Sequence, residues 1–579
     1  MPKKRAVWSP LLAAVLIVGF ICCAEDKGKT KEEKSSGSLG RANTQSEAVD
    51  RLFAGWDKPK TPGASVAVWQ AGKVLHQKSY GRKHIGYDLP WNPDTRSRIY
   101  SMTKHFMGVA ALILEDRGEL RLDDDVRQHL PDWPAYEEKI TLRHILSNTS
   151  GIRDDEQILT LSGLMDGAMV SLDYYYQTVA RQKRLNFPPG AACLYSNSGF
   201  RMMARIIERL SGRAFPDWMA NNIFKPLGMD RTLVAQYDTL VIEDMAQGYD
   251  RQRNGSYEPA IHIFGTSGDG AIVSTVPDML KWADNFMSNR LHIKNFPERL
   301  VAKTPLTDGR LSHYGLGICT DIYRGVRRYH HGGGAPGYRS EITYFPDRDL
   351  AVVILANRSD ANPGQKAEAI ADIYLEDDIR NAEKQKGELF QPRREALEPL
   401  KGTYVDPETG LVAQIAVPDA NPSIDLYLGG TAGFISPLKA VDEKTFASAI
   451  GYSSTRMQIE YREHGERPLL HIDLGRGGFT TFVPAVDVNP TAQQLEQYEG
   501  VYRSDEIAAP LSVLLKEGNL FLRLGFGVWP TQLRELEPVY PDIFSAPGIS
   551  VKFVNRAKHV KSLIINTAQS RYFELKKVN

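Results

Sequence analysis

The chain has 579 residues, 42% of them hydrophobic and 24% charged, a composition that excludes collagen-like, wholly disordered and polytopic membrane architectures. Lys and Arg number 71 against 70 Asp and Glu, so there is no clustered basic footprint of the kind that draws nucleic acid. At ~150 residues per domain the length predicts three or four domains.

Lys3, Lys4 and Arg5 precede an apolar run of 14 residues, Leu11 to Ala24. A spanning helix needs about 20, so residues 1–24 read as a secretory signal with Ala24 the last residue removed. The alternatives are an uncleaved membrane anchor, or acylation at Cys22 or Cys23, which Phe20 and Ile21 fit poorly. Processing would leave no stable membrane span and an exported protein, periplasmic or extracellular. It would also leave only Cys193 and Cys319, too few for a disulfide framework. Residues 25–48, rich in Lys, Glu, Ser and Gly, read as a flexible tether.

Residues 49–380 mix strand and helix signals. Ala64 to Val68 reads as a buried strand opened by Pro62 and Gly63, while Phe106 to Glu115, Gly199 to Leu210 and Met279 to Phe286 carry apolar residues at helical spacing. Late strands are predicted at Ser340 to Phe345 and Leu350 to Leu355. Terminal strands around a helical middle specify an α+β unit with an antiparallel sheet flanked by helices. A polar linker, 381–395, leads to two short-stranded segments, 396–488 and 489–579. These are copies of each other: Leu397-Glu398 leads to Gly402 and Tyr404, and Leu495-Glu496 leads to Gly500 and Tyr502, 98 residues on. Two small antiparallel β-barrels account for them, since closure removes exposed strand edges.

Three segments of the first unit carry chemistry. Ser101 and Lys104 stand three apart on one helix face, where a desolvated lysine can take the seryl proton. Taken alone, S-x-x-K is common by chance and fits a surface lysine equally well. Tyr195-Ser196-Asn197 offers a phenol for proton transfer and an amide for substrate hydrogen bonds, although most such tyrosines simply bury the ring. His331-Gly332-Gly333-Gly334 lets a ligand approach backbone N–H donors closely, as an oxyanion hole requires. The His330-His331 pair lacks a third ligand at zinc-like spacing, and the run lacks the Lys-Ser/Thr of a phosphate loop.

In this order, with gaps of 94 and 136 residues, the three segments resemble the S-x-x-K, Y-x-N and H-x-G signatures of the β-lactamase and penicillin-binding serine hydrolases. Supporting phrases include His144-Ile145-Leu146-Ser147-Asn148-Thr149-Ser150-Gly151, Gly268-Asp269-Gly270-Ala271 and Tyr314-Gly315-Leu316-Gly317. Within that superfamily the chain is most similar to the bacterial D-aminopeptidases, with one catalytic domain and two β-barrels. The likeness extends into both repeats at Tyr404 to Leu411 and Gly500 to Glu506. The resemblance implies acyl transfer on Ser101, with Lys104 and Tyr195 sharing the proton traffic and the choice of principal base left open. His331 would tune Tyr195 or bind substrate. Asn197 would hold the substrate amide, Gly333 would line the site, and the N–H groups of Ser101 and Gly334 would form the oxyanion hole.

No metal or organic cofactor is implied. The expected partner is a small peptide or ester, D-amino acids included, with no nucleic acid; a homodimer is compatible with the pattern. Esterase, D-Ala carboxypeptidase or weak β-lactamase action on the same site are the alternatives, and a non-catalytic cell-wall peptide binder is the rival of another class. In D-aminopeptidases a loop of the second barrel reaches into the groove. Here the matching stretch, Tyr540 to Gly548, is shortened, so a more open groove is expected.

Overall fold

The computed structural model describes residues 45–578 apart from 166–168, 238, 262–264, 386–389, 420–422, 430–433, 449–451, 464–465, 526–532 and 557–558. The proposed signal and most of the tether lie outside the described residues. Among the described residues no helix is long and apolar enough to cross a membrane.

The catalytic unit opens with helix α1 (Gln45–Phe53), which begins inside the expected tether because Val49 and Phe53, one turn apart, are both buried. Strands β1 (Ala64–Gln70) and β2 (Lys73–Tyr80) follow, then helices α2 (Thr103–Asp116), α3 (Asp155–Leu161), α4 (Ser198–Ser211) and α5 (Val276–Ser288). The chain returns to the sheet with β3 (Cys319–Tyr323), β4 (Val326–Ala335), β5 (Tyr338–Phe345) and β6 (Leu350–Ala356), and α6 (Pro363–Tyr374) comes next. The sheet order is β3-β4-β5-β6-β1-β2, antiparallel throughout. A further helix, Glu376–Gln385, carries regular structure into the expected linker.

Both faces of the sheet are covered, which is why β1 is buried from Ala64 to Trp69 without alternation. Val66 and Val68 pack with Phe53, Ile370 and Ala371 under α1 and α6, whereas Ala67 and Trp69 join Phe106, Met279 and Trp282 on the other side. Helix α2 is the centre of that second core, every residue from Thr103 to Leu114 being buried. A fully buried apolar side chain of this size contributes about 1.5–3 kcal/mol, so α2 is fixed firmly and Lys104 in its first turn with it.

The repeats are two closed eight-stranded antiparallel barrels, Gly402 to Pro484 and Gly500 to Val578. The repeated phrase has a structural reason. Gly402 and Gly500 open the first strand of each barrel at φ 117° and 147°, and Tyr404 and Tyr502 are buried beneath Arg467 and Lys577 respectively.

Both barrels dock on the same part of the catalytic unit. Phe187, Ala192 and Leu194 complete the core of the first barrel, and Ile158 and Leu161 of α3 enter that of the second. The segment Tyr540 to Gly548 takes no part in a groove: it spans a hairpin whose Phe544 packs on Tyr498 and Phe553 inside the second barrel. Among the described residues the first barrel reaches the Ser101 site, through Tyr452.

Candidate active site

Ser101 stands on a single 3-10 turn, Tyr100–Met102, at the mouth of α2. Tyr100, directly before it, adopts φ 44°, a conformation that costs a bulky residue roughly 1–3 kcal/mol and therefore persists only where the surroundings enforce it. The enforcement comes from β4. A Cβ on Gly333 would lie 2.0 Å from the Ile99 carbonyl oxygen, so only glycine lets the strand press on this turn, and Ser340 Oγ–H donates to the same oxygen at 2.8 Å.

Lys104, one turn along α2, is wholly buried, and its Nζ donates to Ser101 Oγ (3.0 Å), Asn197 Oδ1 (2.8 Å) and the Asp269 carbonyl (2.8 Å). Burial lowers its pKa to about 8 against the opposing pull of the Asp269 and Glu156 carboxylates. The ammonium lies 4.8 Å from the centre of the Tyr195 ring. Burial holds the Tyr195 phenol well above its ordinary value despite a hydrogen bond with Ser101, so Tyr195 is protonated at rest. Of the two groups, Lys104 is the one whose pKa is brought down toward neutral.

Asn197 is oriented from below: its N–H donates to the buried Asp154 carboxylate at 2.8 Å, and Asp154 also caps α3 through the Gln157 N–H. Beside it Arg201 pairs with Asp155 (3.1 Å), Glu156 (2.5 Å) and Asp269 (3.0 Å). Burial pushes Glu156 up to about 7 and raises Asp154 and Asp155 as well.

His331 is fully buried and committed at both nitrogens, Nδ1 to the Gly332 carbonyl (2.6 Å) and Nε2 to Tyr314 Oη (2.9 Å). A carbonyl can only accept, which assigns the proton to Nδ1 and makes Nε2 the acceptor from the tyrosine. Burial next to Lys104 holds its pKa well below the usual value, so the ring is neutral. Its centre lies 6.1 Å from that of Tyr195. With both nitrogens occupied, His331 braces the site and has no free atom for substrate; His330 faces Asp321 and Glu341 instead.

Ser101, Lys104, Tyr195, Asn197, His331 and Gly333 are thus brought together, and Gly334, half-buried, follows Gly333 on β4. Sequence reading missed Tyr314, and it missed Tyr452 of the first barrel, which packs edge-on to Tyr195 at 5.2 Å and 90°. Tyr314 lies in a quoted phrase but carries no chemical signature of its own; Tyr452 lies in none. Cys193 and Cys319 are buried nearby as thiols, outside any disulfide. Among the described residues no group of His, Cys, Asp and Glu is placed to hold a metal ion.

The β-lactamase family profile matches residues 49–375, more than half of the chain. The chain belongs to the β-lactamase family. It is a serine hydrolase of that family, and its similar curated relatives are D-aminopeptidases. That of Gluconobacter oxydans (strain 621H) is 29% identical over 61% of this chain, spanning 65% of the relative's own length. That of Brucella anthropi is 26% identical over 84% of this chain and 88% of the relative, a match longer than the β-lactamase-like unit. Among solved structures, the octameric penicillin-binding protein homologue from Pyrococcus abyssi superposes with TM-score 0.53 at 21% identity, over 75% of this chain and 99% of that one, a likeness of fold.

Proposed function

We propose that the protein is an exported, D-stereospecific peptidase of D-aminopeptidase type that works through an acyl-enzyme on Ser101. The observation that carries the reading is the placement of Lys104 Nζ between Ser101 Oγ and Asn197 Oδ1 with Tyr195 alongside. The D-aminopeptidase relatives and the basic-then-apolar N-terminus support the substrate class and the export.

In this mechanism neutral Lys104 takes the Ser101 proton as Oγ attacks the scissile carbonyl carbon, and the N–H groups of Ser101 and Gly334 receive the developing oxyanion. The carbon–nitrogen bond then breaks while the Tyr195 phenol gives its proton to the departing amine, and the Lys104 ammonium returns a proton to the Tyr195 phenolate. Asn197 holds the substrate amide. Water attacks the acyl-serine by the same proton route in reverse, freeing the acid and restoring Ser101.

Purified protein assayed on D-Ala-p-nitroanilide, its L counterpart, short p-nitrophenyl esters and a chromogenic cephalosporin is expected to prefer the D-anilide over the L. Turnover of esters alone would overturn the peptidase reading and leave the hydrolase. Fractionation of the native host tests export.

A further inference from the structure

The edge of β4 that faces the catalytic residues is used up residue by residue. Pairing with β3 ends at Cys319 and His330. Outward-facing backbone groups recur every second residue of a strand, so Gly332 and Gly334 come next. At Gly332 the N–H donates to Tyr452 Oη at 3.3 Å, and the carbonyl accepts His331 Nδ1–H. The protein itself therefore engages both backbone groups of Gly332, and Gly334 is the next outward position at which an extended ligand can pair.

Tyr452 is held in place by more than its hydroxyl. It belongs to the connection between two strands of the first barrel, Thr445–Ser448 and Arg456–Glu460. Its carbonyl accepts the Tyr195 N–H at 3.1 Å, Ser453 bridges Leu194, and Ser454 exchanges hydrogen bonds with Cys193. Its ring stands across Tyr195 and His331 with centres 5.2 and 5.5 Å away. Arg310 ties the same connection down, bonding the Ser454 carbonyl and pairing with Asp473.

We infer that Tyr452 is the specificity-determining wall of the groove. It ends the sheet edge at Gly332, so an extended peptide cannot run past the Gly334 position in that direction, and only one small residue or group fits on that side of the scissile bond. The substrates are then amides, esters or short peptides, and not the interior of a polymer. This rests on the serine-hydrolase reading above.

The test compares kcat/KM for D-alaninamide with two extended series, one lengthened by glycines on the leaving-group side and one lengthened on the acyl side. Wild type is expected to discriminate against extension on one side. Tyr452→Ala is expected to raise the extended-to-short ratio on that side roughly tenfold or more, without changing the other side. Tyr452→Phe, which keeps the ring, is expected to retain the discrimination. Tyr452→Leu gives the same comparison if the alanine variant melts early, and fluorophosphonate labelling of Ser101 confirms an assembled site in each variant. Ratios within twofold of wild type in a labelled alanine or leucine variant would overturn the inference alone. A wild type that neither turns over nor labels overturns the hydrolase reading and this one with it.

Discussion

If Lys104 is the group that takes the seryl proton, the rate follows its neutral fraction. With a pKa lowered to about 8, roughly one site in a hundred is competent at pH 6, one in ten at pH 7 and half at pH 8. The expected log(kcat/KM) profile therefore climbs with unit slope from pH 6 to 7, bends near 8 and is flat by 9. A short p-nitrophenyl ester without an amino group is the substrate to use, because it does not titrate in this range, and Ser101→Ala supplies the blank for spontaneous hydrolysis. The carboxylate of Asp269 favours the charged lysine, so Asp269→Asn is expected to move the bend toward lower pH by about one unit. Lys104→Arg, permanently charged, is expected to be inactive across the range. A limb below pH 6.5 that Asp269→Asn leaves in place would refute Lys104 as the base. Stability carries the opposite side of the same shift: between about 8 and 10.5 the unfolded chain binds more protons at this lysine, so unfolding free energy rises with pH through that window.

Ser101→Ala is expected to lower turnover by about four orders of magnitude or more while the melting temperature stays within a few degrees, because its Oγ fills little core volume; a large drop in melting temperature would mark Ser101 as structural. Gly333→Ala places a methyl group 2.0 Å from the Ile99 oxygen and must displace the Ser101 turn by about 1 Å, for which a loss of roughly 100-fold in kcat/KM is expected. Wild-type kinetics in this variant would show that β4 does not set the serine. Arg153 pairs with Glu506 of the second barrel at 2.7 Å, with the arginine side chain fully buried. Arg153→Ala leaves Glu506 without its cation and is expected to cost about 3–5 kcal/mol in chemical denaturation, against no change if the barrel docks by apolar contact alone.

The groups proposed to do the chemistry were legible because they are local: Ser101 and Lys104 share one helical turn, Tyr195 and Asn197 share one loop, and the three glycines lie together on one strand. The barrel repeat was legible because Gly402 and Gly500 answer the same backbone demand. The role of His331 was not, since only folding shows that Gly332 and Tyr314 occupy both its nitrogens. Tyr452 was beyond reach for a related reason. It meets Gly332 from 120 residues away through one hydroxyl, and no spacing rule announces such a contact.

Asn186 and Asp154 carry the remaining consequence. The first barrel holds the strand-like segment 193–195 from one side, while from the other the second barrel bonds Asn186 through Gln569 and Arg571 and the Asp154 carbonyl through Ser570. The loop bearing Tyr195 and Asn197 is pinned between two separately closed bodies. Linkage then runs in both directions: an inhibitor that tightens the catalytic loop must also tighten the attachment of both barrels. Amide hydrogen exchange in residues 567–572, remote from Ser101, would slow when the serine is acylated, making the second barrel a reporter of occupancy at a site it does not touch.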